Sequence, residues 1–312
     1  MKTLFILLYL FAVAVLSASA EDYYPADSSV IGKVEQYTIK KGESLIELAR
    51  KFDLGYNEIT DANPGVDPFV PPAGIPVQIP MKWIVPDVTK RNGIVINISE
   101  MRLYFFTGKG TKMMTTFPVG VGDEGKETPV GDFKVIMKVV EPSWHVPKSI
   151  KLESPELPSV VPPGPENPLG SHALLLSIPS VLIHGTNKPW SLGRRATHGC
   201  IRLYPEDIGK LFLMVRKGEN VTIVRQPIKV GVLDNRVFME VHNDENSLGL
   251  LEAVNALGNK KLLDRVDGKK MLRAFTEKSG IPVDITLDQS LTSDELAKIK
   301  LFPPDWKTDI RQ

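Results

Sequence analysis

From Gly93 to Val224 the chain is written mostly in short runs of β-branched and aromatic residues, separated by glycine and proline. Residues 94–98, 102–106, 115–120 and 132–137 each have strand length and strand composition. Residues 174–186 and 197–204 continue the series. Pro205-Glu206-Asp207 then opens a helix over 208–215, and 220–224 returns to strand. Such a pattern commits this stretch to a mainly β domain whose core comes from non-local pairing. One segment does not fit it. The proline-rich residues 155–168 are too long for an ordinary connection and predict a functional loop or lid over a cleft.

The flanks read differently. Gln36-Tyr37-Thr38-Ile39 alternates like a short strand, and Leu45, Leu48, Ala49 and Phe52 follow at helical spacing. Ser44 with Glu47 three residues on forms a capping box for that helix. A second short helix fits 56–62, stopped at Asn63-Pro64-Gly65, and Pro76-Val77-Gln78-Ile79-Pro80 closes the unit as an edge strand. Beyond Pro227, a strand over 237–241, helices over 247–257 and 269–278, and a capping box from Thr292 to Glu295 predict an α/β appendage spanning 228–312. It carries no chemical motif.

Residues 1–20 read as a secretory signal: Lys2 at the start, an apolar run from Leu4 to Leu16 broken only by Tyr9, then Ala18-Ser19-Ala20 as a small-residue cleavage site. The run is too short and too poorly flanked to favour a permanent membrane span, with an uncleaved anchor helix as the alternative, so no stable span is expected after cleavage. Polar, turn-rich residues 21–34 predict a flexible leader. Removing the signal takes the formal net charge from +1 to 0, which excludes any general electrostatic pull on nucleic acid or anionic lipid.

Cys200 is the single cysteine, so no intramolecular disulfide can form and stability must come from burial. An exported chain with one thiol beside His184 and His198 points to sulfur chemistry. If 197–203 is extended, His198, Cys200 and Arg202 share one face, and that alternation nominates His198 as the base. Two cations beside the thiol predict a lowered thiol pKa. One cysteine and two histidines lack a fourth ligand for zinc, so neither a metal nor another cofactor is expected. Thr128 to Gly131 fits a turn that walls a cleft, and Trp144 and Trp190 are candidate platforms for sugar or peptide. His172 and His242 show no identifiable partner in the sequence.

Two resemblances sharpen this reading. Tyr37-Thr38-Ile39, Lys41-Gly42-Glu43-Ser44-Leu45, Ile59 with Ala62-Asn63-Pro64, and Val77-Gln78-Ile79-Pro80 make residues 35–81 resemble a LysM module, which implies binding of peptidoglycan-type glycan. The long proline-rich stretch 67–76 departs from that pattern. Ile183-His184-Gly185-Thr186 with Thr197-His198-Gly199-Cys200-Ile201-Arg202-Leu203 resembles the signature of the YkuD-type L,D-transpeptidases. Glu127-Thr128-Pro129-Val130-Gly131-Asp132-Phe133 and Pro142-Ser143-Trp144-His145-Val146-Pro147 are similar to two further motifs of that family, over residues 90–226. His145 departs, since relatives often carry another aromatic there.

The resemblance implies a mainly β catalytic domain, a YkuD-like β-sandwich, behind a small βααβ LysM module and ahead of the C-terminal α/β appendage. It also implies a cysteine L,D-transpeptidase. Cys200 would attack the third residue of a tetrapeptide stem, release D-alanine and pass the acyl group to an amine, giving a 3→3 cross-link or an anchored envelope lipoprotein. By the same resemblance His184 is the base, held by a carbonyl near Gly185. His198 shapes the pocket or the oxyanion hole, Gly199 and Cys200 supply oxyanion N–H groups, Arg202 anchors a substrate carboxylate or else serves as a structural salt-bridge residue, and Thr128, Trp144, Gly185 and Thr197 contact the substrate. Peptidoglycan glycan and stem peptides are the expected partners, and the periplasm or cell wall the expected location. A non-catalytic wall-binding protein and a hydrolase using the same thioester stand as alternatives.

Overall fold

In the computed structural model, residues 23–107 and 112–288 are described. The signal read over 1–20 and the capping box at 292–295 lie outside them. β1 (Tyr24–Pro25) pairs with Met113 and Met114, and β2 (Val30–Thr38) begins with Val30 and Ile31 both buried. From Tyr24 onward, therefore, the stretch expected to be a flexible leader is structured, because its apolar residues find a sheet edge and a core. The capping box forms as its local sequence requires: the Glu47 amide donates to Ser44 Oγ at 3.2 Å, and the Ser44 amide donates to Glu47 Oε2 at 2.9 Å. It opens α1 (Leu45–Lys51), which buries Leu45, Leu48 and Ala49. α2 (Tyr56–Asp61) follows, and β3 (Pro76–Ile84) pairs antiparallel with β2 along its whole length.

The central domain comprises β4 (Gly93–Asn97), β5 (Arg102–Phe106), β6 (Met113–Pro118), β7 (Val121–Gly122), β8 (Gly131–Val140), β9 (Trp144–His145), α3 (Lys148–Glu153), β10 (Val160–Val161), β11 (His172–Leu176), β12 (Leu182–His184), β13 (Arg195–Thr197), β14 (Ile201–Arg202), α4 (Pro205–Met214) and β15 (Asn220–Val224). Nine strands form one curled sheet in the order β1-β6-β5-β4-β15-β8-β11-β12-β14. The single strand expected over 174–186 is instead the β11–β12 hairpin, with Ala173 opposite His184.

Every residue of β4 and β5 is buried, which means the sheet is covered on both sides. Alternation decides which side each residue serves. Ile94, Ile96, Leu103 and Phe105 join Val135, Leu174 and Ile223 with Ile208 and Leu211 of α4 in the core of the central domain. Val95, Tyr104 and Phe106 point the other way and share one core with Leu45, Leu48, Ile59, Ile79 and Trp83. The βααβ unit is thus packed on the outer face of the nine-stranded sheet rather than tethered beside it.

β16 (Ile228–Leu233), β17 (Arg236–Val241), α5 (Leu250–Asn259), α6 (Gly268–Glu277) and β18 (Val283–Asp284) build a third core around Val230, Met239, Leu257, Met271 and Ile285. This unit is also clamped. Lys229 Nζ lies 2.6 Å from Glu100 Oε2, 2.9 Å from Glu240 Oε1 and 2.6 Å from the Ile84 carbonyl, all buried.

Candidate active site

β12 and β14 run parallel, with Ile183 opposite Ile201 and His184 opposite Arg202. β14 is short because the chain leaves strand geometry just before it, at Gly199, whose φ of +97° suits glycine. Two threonines hold this turn. Thr197 Oγ1 accepts the Gly199 amide at 3.1 Å and donates to the Cys200 carbonyl at 2.7 Å. Thr128 Oγ1 donates to the Gly199 carbonyl at 3.1 Å and accepts the Gly122 amide at 2.9 Å. Residues 197–203 are therefore not uniformly extended, and the expected shared face of His198, Cys200 and Arg202 is not formed.

His198 turns outward. Its Nε2 lies 3.0 Å from Glu153 Oε2 and 2.8 Å from Lys126 Nζ, and Lys126 is itself 2.6 Å from Glu153 Oε1. Glu153 ends α3, inside the segment between β8 and β11. There β9 and β10 pair, Trp144 opposite Val161, and buried Asn167 donates to the Pro142, Val161 and Pro162 carbonyls. The loop anticipated over 155–168 is thus part of a pinned flap, which carries Trp144.

The Cys200 thiol donates to the Ser180 carbonyl at 3.4 Å. Burial pushes its pKa up, while the Leu182 amide and the Arg202 charge pull it down without prevailing. The expected lowering is overturned, because His198 is directed elsewhere and desolvation outweighs one guanidinium. His184 is buried, and its Nδ1 lies 2.6 Å from the Gly185 carbonyl, with the Leu169 carbonyl also facing the ring. A carbonyl only accepts, so Nδ1 carries the hydrogen and Nε2 is the basic nitrogen of the neutral ring. Burial, helped by the Arg202 charge, lowers His184 to about 4. Thiol and imidazole are consequently both neutral near pH ~7.

Arg202 exchanges backbone hydrogen bonds with Gly120, at 3.0 and 2.9 Å, and reaches Ser191 Oγ with Nη1 at 3.5 Å. Its buried Nε has no partner among the described residues. Of the two candidate oxyanion amides, that of Gly199 is already engaged by Thr197, whereas no described group accepts from the Cys200 amide.

Glu100, Glu240 and His242 place three ligand-type atoms within 4.8 Å of one another, but Lys229 Nζ already supplies the cation between the two carboxylates. His242, which lacks a visible partner in the sequence, lies 2.6 Å from Glu240 Oε1. His172 lies tilted against Phe212, with ring centroids 4.6 Å apart.

The L,D-transpeptidase catalytic domain of the YkuD family matches residues 91–223, and the LysM domain matches 37–80. Over 282 residues the chain is 36% identical to the probable L,D-transpeptidase YcfS of Escherichia coli strain K12, covering 85% of this chain and 88% of that one. The chain belongs to the YkuD-type L,D-transpeptidases. It is also 39% identical over 253 residues to the probable L,D-transpeptidase YbiS of the same strain, covering 78% and 82% of the two chains. With the probable L,D-transpeptidase ErfK/SrfK of Salmonella typhimurium strain LT2 it shares 32% over 279 residues, covering 84% and 89%. In this L,D-transpeptidase the Ser180 and Leu169 carbonyls, Ser191, Lys126 and Glu153 all touch the signature residues, and none was singled out from sequence. Their contacts are made by backbone or across long loops, so no local pattern announces them.

Proposed function

We propose that Cys200 is the acyl-carrying nucleophile of this L,D-transpeptidase and His184 its base, acting on peptidoglycan stem peptides. The observation that carries the assignment is the tautomer of His184. Its Nδ1–H is spent on the Gly185 carbonyl, which leaves Nε2 as a proton acceptor on the strand beside Cys200. As sulfur bonds to the carbonyl carbon of the third stem residue, the thiol proton passes to Nε2. The tetrahedral oxyanion is met by the Cys200 amide. Collapse breaks the peptide bond, and the departing D-alanine amine takes the proton back from His184. An acceptor amine then attacks the thioester, gives a proton to His184, and sulfur leaves as the restored thiol.

Arg202 adds to burial in keeping His184 neutral and offers its guanidinium to a substrate carboxylate. Thr128, Thr197, Gly185 and Gly199 position the machinery, Trp144 lines the donor groove from the flap, and His198 works at a distance by holding that flap through Glu153. The LysM module binds the glycan, and the chain acts outside the cytoplasm after signal removal. The acceptor is an amine on a second stem or on an envelope lipoprotein. No helix among the described residues is long and apolar enough to cross a membrane.

The test is incubation of the purified protein with disaccharide-tetrapeptide, read by mass spectrometry. Loss of alanine with dimer formation is expected. Cys200→Ala and His184→Ala should abolish it, while His198→Asn should leave it within about tenfold, as expected for a lost contact of no more than about 1.4 kcal/mol. Alanine loss without dimers would make the enzyme a hydrolase. Full activity in His184→Ala would overturn the base assignment.

A further inference from the structure

Between α1 and the catalytic domain lies a groove of about 480 Å³ that the acyl-transfer chemistry leaves unused. Ile46 and Glu47 of α1 form one wall, Pro189, Trp190 and Tyr204 the other, and the Arg50–Glu206 ion pair lies between them. Trp190 is 58% exposed, although its neighbours Ser191 and Leu192 are buried. An exposed indole on a buried loop is a platform held out for something to stack on.

The loop cannot swing away. The Tyr56 and Asn57 amides at the start of α2 donate to the Leu192 and Gly193 carbonyls, at 3.0 and 3.3 Å. Gly193 has φ +71°, and a Cβ there would lie 2.3 Å from the Tyr56 nitrogen. The Arg194 guanidinium stacks 3.6 Å over the Tyr56 ring. On the far side, Tyr204 donates to the Leu54 carbonyl at 3.0 Å, and Arg50 binds both oxygens of Glu206 at 2.8 and 2.9 Å. Both walls are thus fixed, and the groove exists only because the two modules are locked together.

We infer that this groove is a sugar subsite for the glycan portion of the donor strand, with one amino-sugar ring stacked on Trp190. The inference rests on the acyl-transfer reading above and extends it to the substrate's carbohydrate. A pyranose offers an apolar C–H face to an indole and hydroxyl or acetamido groups at its rim, which suits Glu47 and the half-exposed Arg50–Glu206 pair. With Lys51, which also lines the groove, two cations face Glu47 and Glu206, so the charges balance and the groove selects neither an anion nor a cation. An apolar peptide would strand those charged groups without water. Position adds to the chemistry: Ser191, next to Trp190, lies against Arg202 of the acyl-donor pocket. A stem peptide at Cys200 would therefore bring its own glycan toward Trp190, and the enzyme would distinguish sugar-bearing stems from free ones.

The experiment compares Trp190→Ala and Trp190→Phe in the full chain on disaccharide-tetrapeptide and on the same tetrapeptide freed of sugar. Trp190→Ala should lower kcat/KM about tenfold on the sugar-bearing donor through KM, and leave the free peptide within about twofold, as expected for loss of one aromatic stack. Trp190→Phe should restore most of it. Equal loss on both donors, or no loss on either, overturns the subsite. Titration with peptide-free glycan chains, followed by calorimetry, reads the groove without catalysis. If wild type turns over neither donor, the acyl-transfer reading fails, and the subsite stands or falls on whether Trp190→Ala weakens glycan binding.

Discussion

Acidifying the protein should expose the neutrality of His184 as a loss of stability. In the unfolded chain its imidazole titrates near the ordinary 6.5; in the folded chain burial lowers it to about 4. Between those values the unfolded state binds the extra proton, so stability falls as pH falls. At about 1.4 kcal/mol per pH unit, the separation corresponds to roughly 3 kcal/mol, accumulating below about pH 6.5 and complete near pH 4. Asp61 acts in the opposite sense. Its burial raises it from 3.8 to about 6, so the folded state binds its proton more readily and gains stability over much of the same range. A whole-protein acid curve would mix the two. The difference between wild type and His184→Asn would not, because Asp61 is common to both and the asparagine amide can still donate to the Gly185 carbonyl. Urea unfolding followed by far-ultraviolet circular dichroism, from about pH 7 down to about pH 4, should show the variant losing roughly 3 kcal/mol less than wild type. Parallel curves for the two proteins would refute the buried neutral imidazole, and with it the case for His184 Nε2 as the base.

Arg102 and Glu58 form a buried ion pair at 2.9 Å, with Trp83 Nε1 also donating to Glu58 at 2.8 Å. Arg102→Met should destabilise the protein by about 3–5 kcal/mol through the stranded carboxylate, seen as a lower thermal midpoint; an unchanged midpoint would refute that cost. Thr128→Val removes both the support of the Gly199 carbonyl and the acceptor for the Gly122 amide. We expect kcat/KM to fall about tenfold or more while Trp83 fluorescence and the circular dichroism spectrum stay native, since a small misplacement of a nucleophile is costly; wild-type kinetics would show that Thr197 alone holds the turn.

Legibility in the sequence followed the range of the interaction. The Ser44–Glu47 capping box, α1 and α2, and strands β4, β5 and β15 rest on residues a few positions apart, and all are where the sequence puts them. Features requiring a distant partner were invisible or misread. His198 belongs with Glu153 on a flap, Cys200 hydrogen-bonds the Ser180 carbonyl, and the stretch expected to be a leader supplies an edge strand.

By itself, then, the sequence determined the residue types of the chemistry and their family: one thiol, two histidines, an arginine, and a short glycan-module pattern ahead of them. Tertiary structure decided where the two histidines lie, because Gly199 turns the chain and sends His198 outward to Glu153 while β12 and β14 keep His184 beside Arg202. It also decided the sign of the thiol's pKa shift. Charge proximity can be guessed from neighbours in sequence, but desolvation depends on everything packed around the sulfur, and here it is the larger effect.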